Sequence, residues 1–251
     1  VEITSVIGPL LGTITIFLTA YFKHLPPQAL FTKAGNTIIF LGTASVLLVA
    51  YTMKGIKFAF KSLGVYLKGP QIDKQGLVDS IDRLAQLARK DGFLALEKEI
   101  EKLEDRFLAK GVRMLVDNTE PHTIQEVLEG EIELKFEEDE VAVKFFEDMG
   151  AFSPTVGIIG AVLGLMAVMA NLDKPDEIGP GIQAAFTATV WGVALANLYA
   201  LPAAKKLKRF AQQAKLAREV ACIGVLGIAH SHAPKVLKDR LVSMLELEHE
   251  G

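Results

Sequence analysis

Four long stretches of this chain contain no Asp, Glu, Lys or Arg, although 23% of the 251 residues are charged. They are Ile3–Phe22, Ala34–Met53, Met149–Leu172 and Ile178–Ala204, with lengths of 20, 20, 24 and 27 residues. At the chain's average density these 91 residues would carry about 21 charges. A helix crossing a bilayer needs about 20 apolar residues. The pattern therefore predicts four membrane spans and excludes an ordinary soluble enzyme. Val1–Glu2 offer no basic n-region and span 1 no small-residue cleavage site. Span 1 is thus expected to be a retained anchor rather than a removed signal peptide.

Between spans 2 and 3 lies a polar segment of 95 residues, 54–148, with 15 basic and 21 acidic side chains. Lys54, Lys57, Lys61 and Lys68 follow span 2, and Lys205, Lys206, Lys208, Arg209, Lys215 and Arg218 follow span 4. The opposite side holds only Lys23, Lys33 and Lys174. Basic residues concentrate on the cytoplasmic side of spans. Segment 54–148 and the tail 205–251 are therefore expected in the cytoplasm, with both short hairpins outside. The organisation read from the sequence is 1–53, spans 1 and 2; 54–148, a helical cytoplasmic domain; 149–204, spans 3 and 4; and 205–251, the tail.

Within the polar segment, Leu77, Ile81, Leu84 and Ala88 recur at helical spacing, as do Phe93, Leu96, Ile100, Leu103 and Phe107. Asp91-Gly92 separates these two expected helices. Thr123-Ile-Gln-Glu126 has the form of a capping box and is expected to open a third. The acidic run Glu137–Glu140 reads as a solvated face. A net charge of −3 with no basic block gives no sign of nucleic-acid binding. Cys222, the only cysteine, has no internal disulfide partner.

Span 4 places Ala184, Ala188, Gly192, Ala196, Ala200 and Ala204 four residues apart, and span 3 carries Gly157, Gly160, Ala161 and Gly164. Small residues let helices approach closely in lipid. Spans 3 and 4 are expected to pack on each other or on a helix of another chain. Pro154 and Pro202 punctuate the cytoplasmic ends of these spans. Thr187, Thr189 and Asn197 either bond back to their own helix or, in the case of Thr189, line a wet path. No span contains Asp, Glu, Lys, Arg or His, so the chain has no carboxylate relay of its own. The sequence has no His-Glu-x-x-His, Gly-x-Ser-x-Gly or Walker loop, and His230-Ser-His232 lacks further ligands at metal spacing. No enzyme activity, cofactor or metal is expected.

The arrangement resembles the MotA/PomA family of flagellar motor stator subunits. The residues that carry the resemblance are Ser153-Pro-Thr-Val-Gly-Ile-Ile-Gly-Ala-Val-Leu-Gly-Leu165, Ile178-Gly-Pro-Gly-Ile182, Ala185-Phe-Thr-Ala-Thr-Val-Trp-Gly192 and Pro202-Ala-Ala-Lys-Lys-Leu207. Ala88-Arg-Lys-Asp-Gly-Phe-Leu-Ala-Leu-Glu97 looks like the family's rotor-facing segment. The resemblance implies an all-α inner-membrane protein that forms a pentamer around a MotB-like partner. That partner supplies the ion-binding aspartate, and ion flow drives torque on the rotor protein FliG. It implies rotor contacts at Arg89, Lys90 and Glu97, an ion path with torque coupling at Pro154, Ala161, Thr189 and Pro202, and helix packing at Gly157, Gly160, Gly164 and Gly192. Sodium-driven members usually carry threonine at the position of Ala161, so alanine there resembles proton-driven ones. The hairpin His24–Gly35 lacks the family's usual glycine pair, which leaves that outer face without an assignment. An ExbB/TolQ-like energiser of outer-membrane transport is the alternative, because it shares the partner-supplied aspartate.

Overall fold

A computed structural model describes residues 2–246. All regular secondary structure among the described residues is helical. The chain divides into two compact units, 1–69 with 139–209 and 70–138 with 210–251, and two of the three boundaries fall inside long helices.

The first unit contains α1 (Ile3–Phe22), a 3-10 turn (Pro27–Leu30), α2 (Lys33–Ala50) and α3 (Met53–Lys68). It continues with the second part of α7 (Pro121–Ala170), then α8 (Pro175–Ala194), a π-helical segment (Leu195–Ala200) and the start of α9 (Leu201–Ala229). Among the described residues, four helices are long and apolar enough to cross a membrane, and they hold nearly all of the four charge-free stretches. Spans 3 and 4 prove to be portions of helices much longer than the stretches themselves.

Local chemistry sets the breaks. Thr32 accepts from the Gly35 amide and starts α2, and Thr52 accepts from the Gly55 amide and starts α3. Between α2 and α3 the backbone of Tyr51 is extended. Its hydroxyl donates to Asp148 Oδ2 at 2.6 Å, and its ring meets Phe145 edge-on at 5.3 Å. α3 and residues 139–148 therefore pack with the apolar helices, although charge density alone groups them with the polar segment.

The second unit is built from α4 (Lys74–Asp91), a 3-10 turn (Phe93–Leu96), the single-turn α5 (Glu97–Ile100), α6 (Arg106–Val116), the first part of α7, the rest of α9, and α10 (Pro234–Glu246). Its core contains Ile81, Leu84, Leu96, Leu108, Val220 and Leu241, all fully buried. Burying such side chains contributes about 1.5–3 kcal/mol each.

Two local expectations need correction. The stripe Phe93–Phe107 is not one helix. Its apolar members do turn inward, but the chain reverses after Ile100, and Asp105 starts α6 afresh by accepting from the amides of Phe107 and Leu108. Spacing identified the buried face and missed the new cap. Nor does Thr123 open the third helix. α7 begins at Pro121, whose fixed φ suits a first helical position, and Thr123 lies within its first turn.

Asp105→Ala is expected to cost about 1 kcal/mol, because two amides at the start of α6 lose their acceptor. Chemical denaturation of the purified protein, followed by circular dichroism, measures it.

Candidate functional site

Two places gather the residues singled out by the sequence, one in each unit. In the first unit α7 and α8 meet almost backbone to backbone. A methyl group on Gly157 would stand 3.0 Å from the Ala188 carbonyl oxygen, and one on Gly192 would stand 2.7 Å from that of Ser153. Gly164 faces Ala185 and the Gly181 carbonyl just as closely. Gly160 faces Ala188 and also Ile38 of α2. Ala188, Gly192, Ala196, Ala200 and Ala204 are buried. The small stripe thus serves packing within this chain and draws in α2 as a third helix.

Pro154 lies inside α7 and leaves the Gly150 carbonyl without its helical donor. Pro202 is the second residue of α9, directly after the π-helical segment. A proline removes one backbone donor, and the widened turn absorbs the mismatch. Tyr199 in that segment lies 2.7 Å from the Thr13 hydroxyl of α1. The sequence marked Pro202 as a boundary but carried no sign of the widened turn.

Two polar side chains, Thr189 of α8 and Asn197 of the π-helical segment, bond back to their own helix. Thr189 Oγ1 donates to the Ala185 carbonyl at 3.2 Å, and Asn197 bonds back to Val193 at 3.1 Å. Ala161 is half-buried. Ser153 and Thr43 are buried, and their hydroxyls have no hydrogen-bond partner among the described residues.

The structure also gives the first hairpin a role that the sequence reading missed. The Leu30 carbonyl accepts from Trp191 Nε1 at 2.6 Å, and the Ala29 carbonyl accepts from Gln183 Nε2 at 3.2 Å. Thr187 Oγ1 lies within reach of both Ala29 O (3.2 Å) and Gln183 O (2.8 Å), and its one proton serves one of them at a time. Phe31 stacks between Trp191 and Phe17. Pro26-Pro27, which stiffen the turn, and the lone Trp were the available signals.

In the second unit, Arg89 and Lys90 occupy the last turn of α4, and Glu97 opens α5. Between them Gly92 takes φ +79°, a left-handed conformation that glycine adopts without strain. Leu96 is fully buried and pins the turn to the core. All three charged side chains are exposed, and none has an ion-pair or hydrogen-bond partner among the described residues. Nearby charges differ. Glu99 pairs with Lys102 at 2.6 Å and with Arg83 at 3.6 Å, and the hydrogen bond from Lys102 holds its carboxyl below the usual range. His230 and His232 stack at 5.9 Å, and no group of metal-binding side chains forms among the described residues.

These features define a multi-pass, all-helical membrane protein with a tightly packed inner hairpin and a separate charged turn. Residues 99–220 match the model of the MotA/TolQ/ExbB proton channel family. Motility protein A of Bacillus subtilis is 35% identical over 243 residues, which is 96% of this chain and 90% of that protein. Chemotaxis protein PomA of Vibrio alginolyticus is 33% identical over 83% of this chain and 81% of its own length. Among solved structures, C. jejuni MotAB superposes with a TM-score of 0.90 at 28% identity, covering 97% of this chain and 96% of that one. The flagellar MotAB stator complex of Bacillus subtilis gives 0.88 at 35% identity, covering 96% and 95%. The chain belongs to the MotA/PomA family of flagellar motor stator subunits. The ExbB/TolQ reading has less behind it, since these relatives are motility proteins and the matched structures are MotAB assemblies.

Gly192→Ala is expected to destabilise the protein by about 1–3 kcal/mol through overpacking against the Ser153 carbonyl. Gly179→Ala, where a methyl meets nothing within 4 Å, serves as the tolerated control. Thermal unfolding of the two variants in detergent distinguishes them.

Proposed function

We propose that this subunit, as part of a complex with a MotB-like partner, converts proton flow across the inner membrane into torque on the rotor protein FliG. One observation carries the reading: the four charge-free stretches contain no Asp, Glu, Lys, Arg or His, in a chain that belongs to a proton channel family. An ion path through hydrocarbon requires a titratable or coordinating group. In this reading the partner's aspartate supplies it, and several copies of this chain, a pentamer, surround the partner's helices. The α7–α8 hairpin forms the wall. Pro154 and Pro202 allow that wall to change shape as the aspartate gains and loses its proton, and Ala161 and Thr189 face the path in the working assembly. Alanine at 161 supports protons, because a further hydroxyl oxygen would suit Na⁺.

Torque leaves through Arg89, Lys90 and Glu97. Exposed, unpaired charges on a rigid turn suit a contact that must form and release repeatedly. Complementary charges steer and register such an encounter more than they tighten it. Segment 54–148 and the tail lie in the cytoplasm in this reading, as the Lys and Arg distribution supports.

Combined charge reversal (Arg89→Glu, Lys90→Glu, Glu97→Lys) is expected to abolish swimming while the complex still co-purifies with its partner. Normal swimming by that variant would falsify the rotor contact. Replacing Na⁺ by K⁺ at constant proton-motive force is expected to leave swimming speed unchanged, and a fall to rest would make sodium the coupling ion.

A further inference from the structure

We infer that α3 is an interfacial helix that binds anionic phospholipid on the side of the membrane where α1 begins and α2 ends. Both ends of α3 are tied to that level. Its first residue follows the end of α2 by only Tyr51 and Thr52. Its last turn is fastened to the start of α1, where the Glu2 amide donates to the Leu67 carbonyl at 2.8 Å and Ser5 Oγ donates to the Tyr66 carbonyl at 2.6 Å. α1 and α2 are consecutive spans and cross in opposite directions, so the start of one and the end of the other lie on the same side. A helix of 16 residues, about 24 Å long, that joins these two points runs along the membrane surface rather than away from it.

The side chains suit that position. Lys54, Lys57, Lys61 and Lys68 fall within about 60° of one another around the helix at 3.6 residues per turn. All four are exposed, and none has a partner among the described residues. α3 contains no acidic residue. Directly beside this stripe runs an apolar one, Met53, Phe60 and Leu67, exposed by 60%, 55% and 43%. The opposite face is already used: Ala59 and Tyr66 are buried against α7 and α9. An apolar stripe edged by lysines is the pattern of a helix that lies in the headgroup region. The lysine stems cover apolar surface while their ammonium groups reach phosphate. Anionic lipid is the occupant that the charge supports, and α2 carries the chain to that surface.

The test uses the full-length chain in vesicles of three parts phosphatidylcholine to one part phosphatidylglycerol. A fluorescent label at Phe60→Cys reports on the face. Buried Cys222, its thiol pushed up to about 11 by burial, stays unlabelled. One lipid at a time carries a nitroxide on its acyl chain. Phosphatidylglycerol is expected to quench about fivefold beyond its molar share, the worth of one lysine at such a surface, about 1 kcal/mol. The excess is expected to vanish in K54Q/K57Q/K61Q/K68Q and to fall in high salt with the lysines intact. The salt arm decides even if the quadruple variant does not fold. Equal quenching by both lipids overturns the anionic preference, and no quenching by either means that protein covers the face, which overturns the proposal altogether.

Discussion

The close approach of α7 and α8 is the constraint on which the rest of the membrane unit depends. Lipid tails are as apolar as leucine, so two spans gain little by hiding apolar surface from each other. They gain by contact, and contact at this range needs positions without side chains. Gly157 and Gly192 bring backbone against backbone, and Gly160 extends the same fit to α2 through Ile38. Ile39 and Val156 are buried in the remaining space. Such an interface has few ways to adjust. The local irregularities gather at the edges of this contact: Pro154 near one end of the apolar part of α7, and the π-helical segment with Pro202 following α8.

Much of this was legible in the sequence, for a physical reason. Charge exclusion from hydrocarbon is severe enough that four empty stretches identify four spans without any other information. The glycine and alanine spacing also reported its own packing. What the sequence could not show was which main-chain groups find side-chain partners at a distance. Trp191 and Gln183 lie more than 150 positions from the carbonyls of Leu30 and Ala29, and nothing local links them. The bond from Tyr51 to Asp148 is hidden for the same reason, and with it the reason α3 packs with the spans. In the second unit, periodicity gave the inward face of residues 93–107 correctly. It was silent on continuity, because Asp105 competes for the amides of Phe107 and Leu108 without disturbing the spacing.

The candidate site was legible in a different sense. Arg89, Lys90 and Glu97 came from resemblance, since composition alone makes them ordinary solvated charges. The structure adds a distinction that their sequence lacks. Glu99, two residues from Glu97, is engaged by Arg83 and Lys102, whereas Glu97 has no partner among the described residues. A charge already paired within its own subunit has little to offer another protein. An unpaired one on a turn pinned by Leu96 keeps both its field and its position.

The two units thus solve opposite problems with the same element, the helix. In the spans, Asp, Glu, Lys, Arg and His are absent, and small residues bring the backbones close. In the polar unit, charge is abundant, and large side chains such as Leu84, Leu108 and Leu241 form the core. The absence of Asp, Glu, Lys, Arg and His from the spans has a further consequence. In the proposed reading, a wall with no charge of its own leaves the partner's carboxylate to be governed by its proton and by the shape of its surroundings. Shape here is set by contacts such as that of Gly192 with the Ser153 carbonyl, one residue before Pro154. A wall of this kind is stiff where glycine meets carbonyl and is interrupted where proline removes a donor. In the proposed reading, neutralising a charge beside it selects between packings without any charged side chain of the wall taking part.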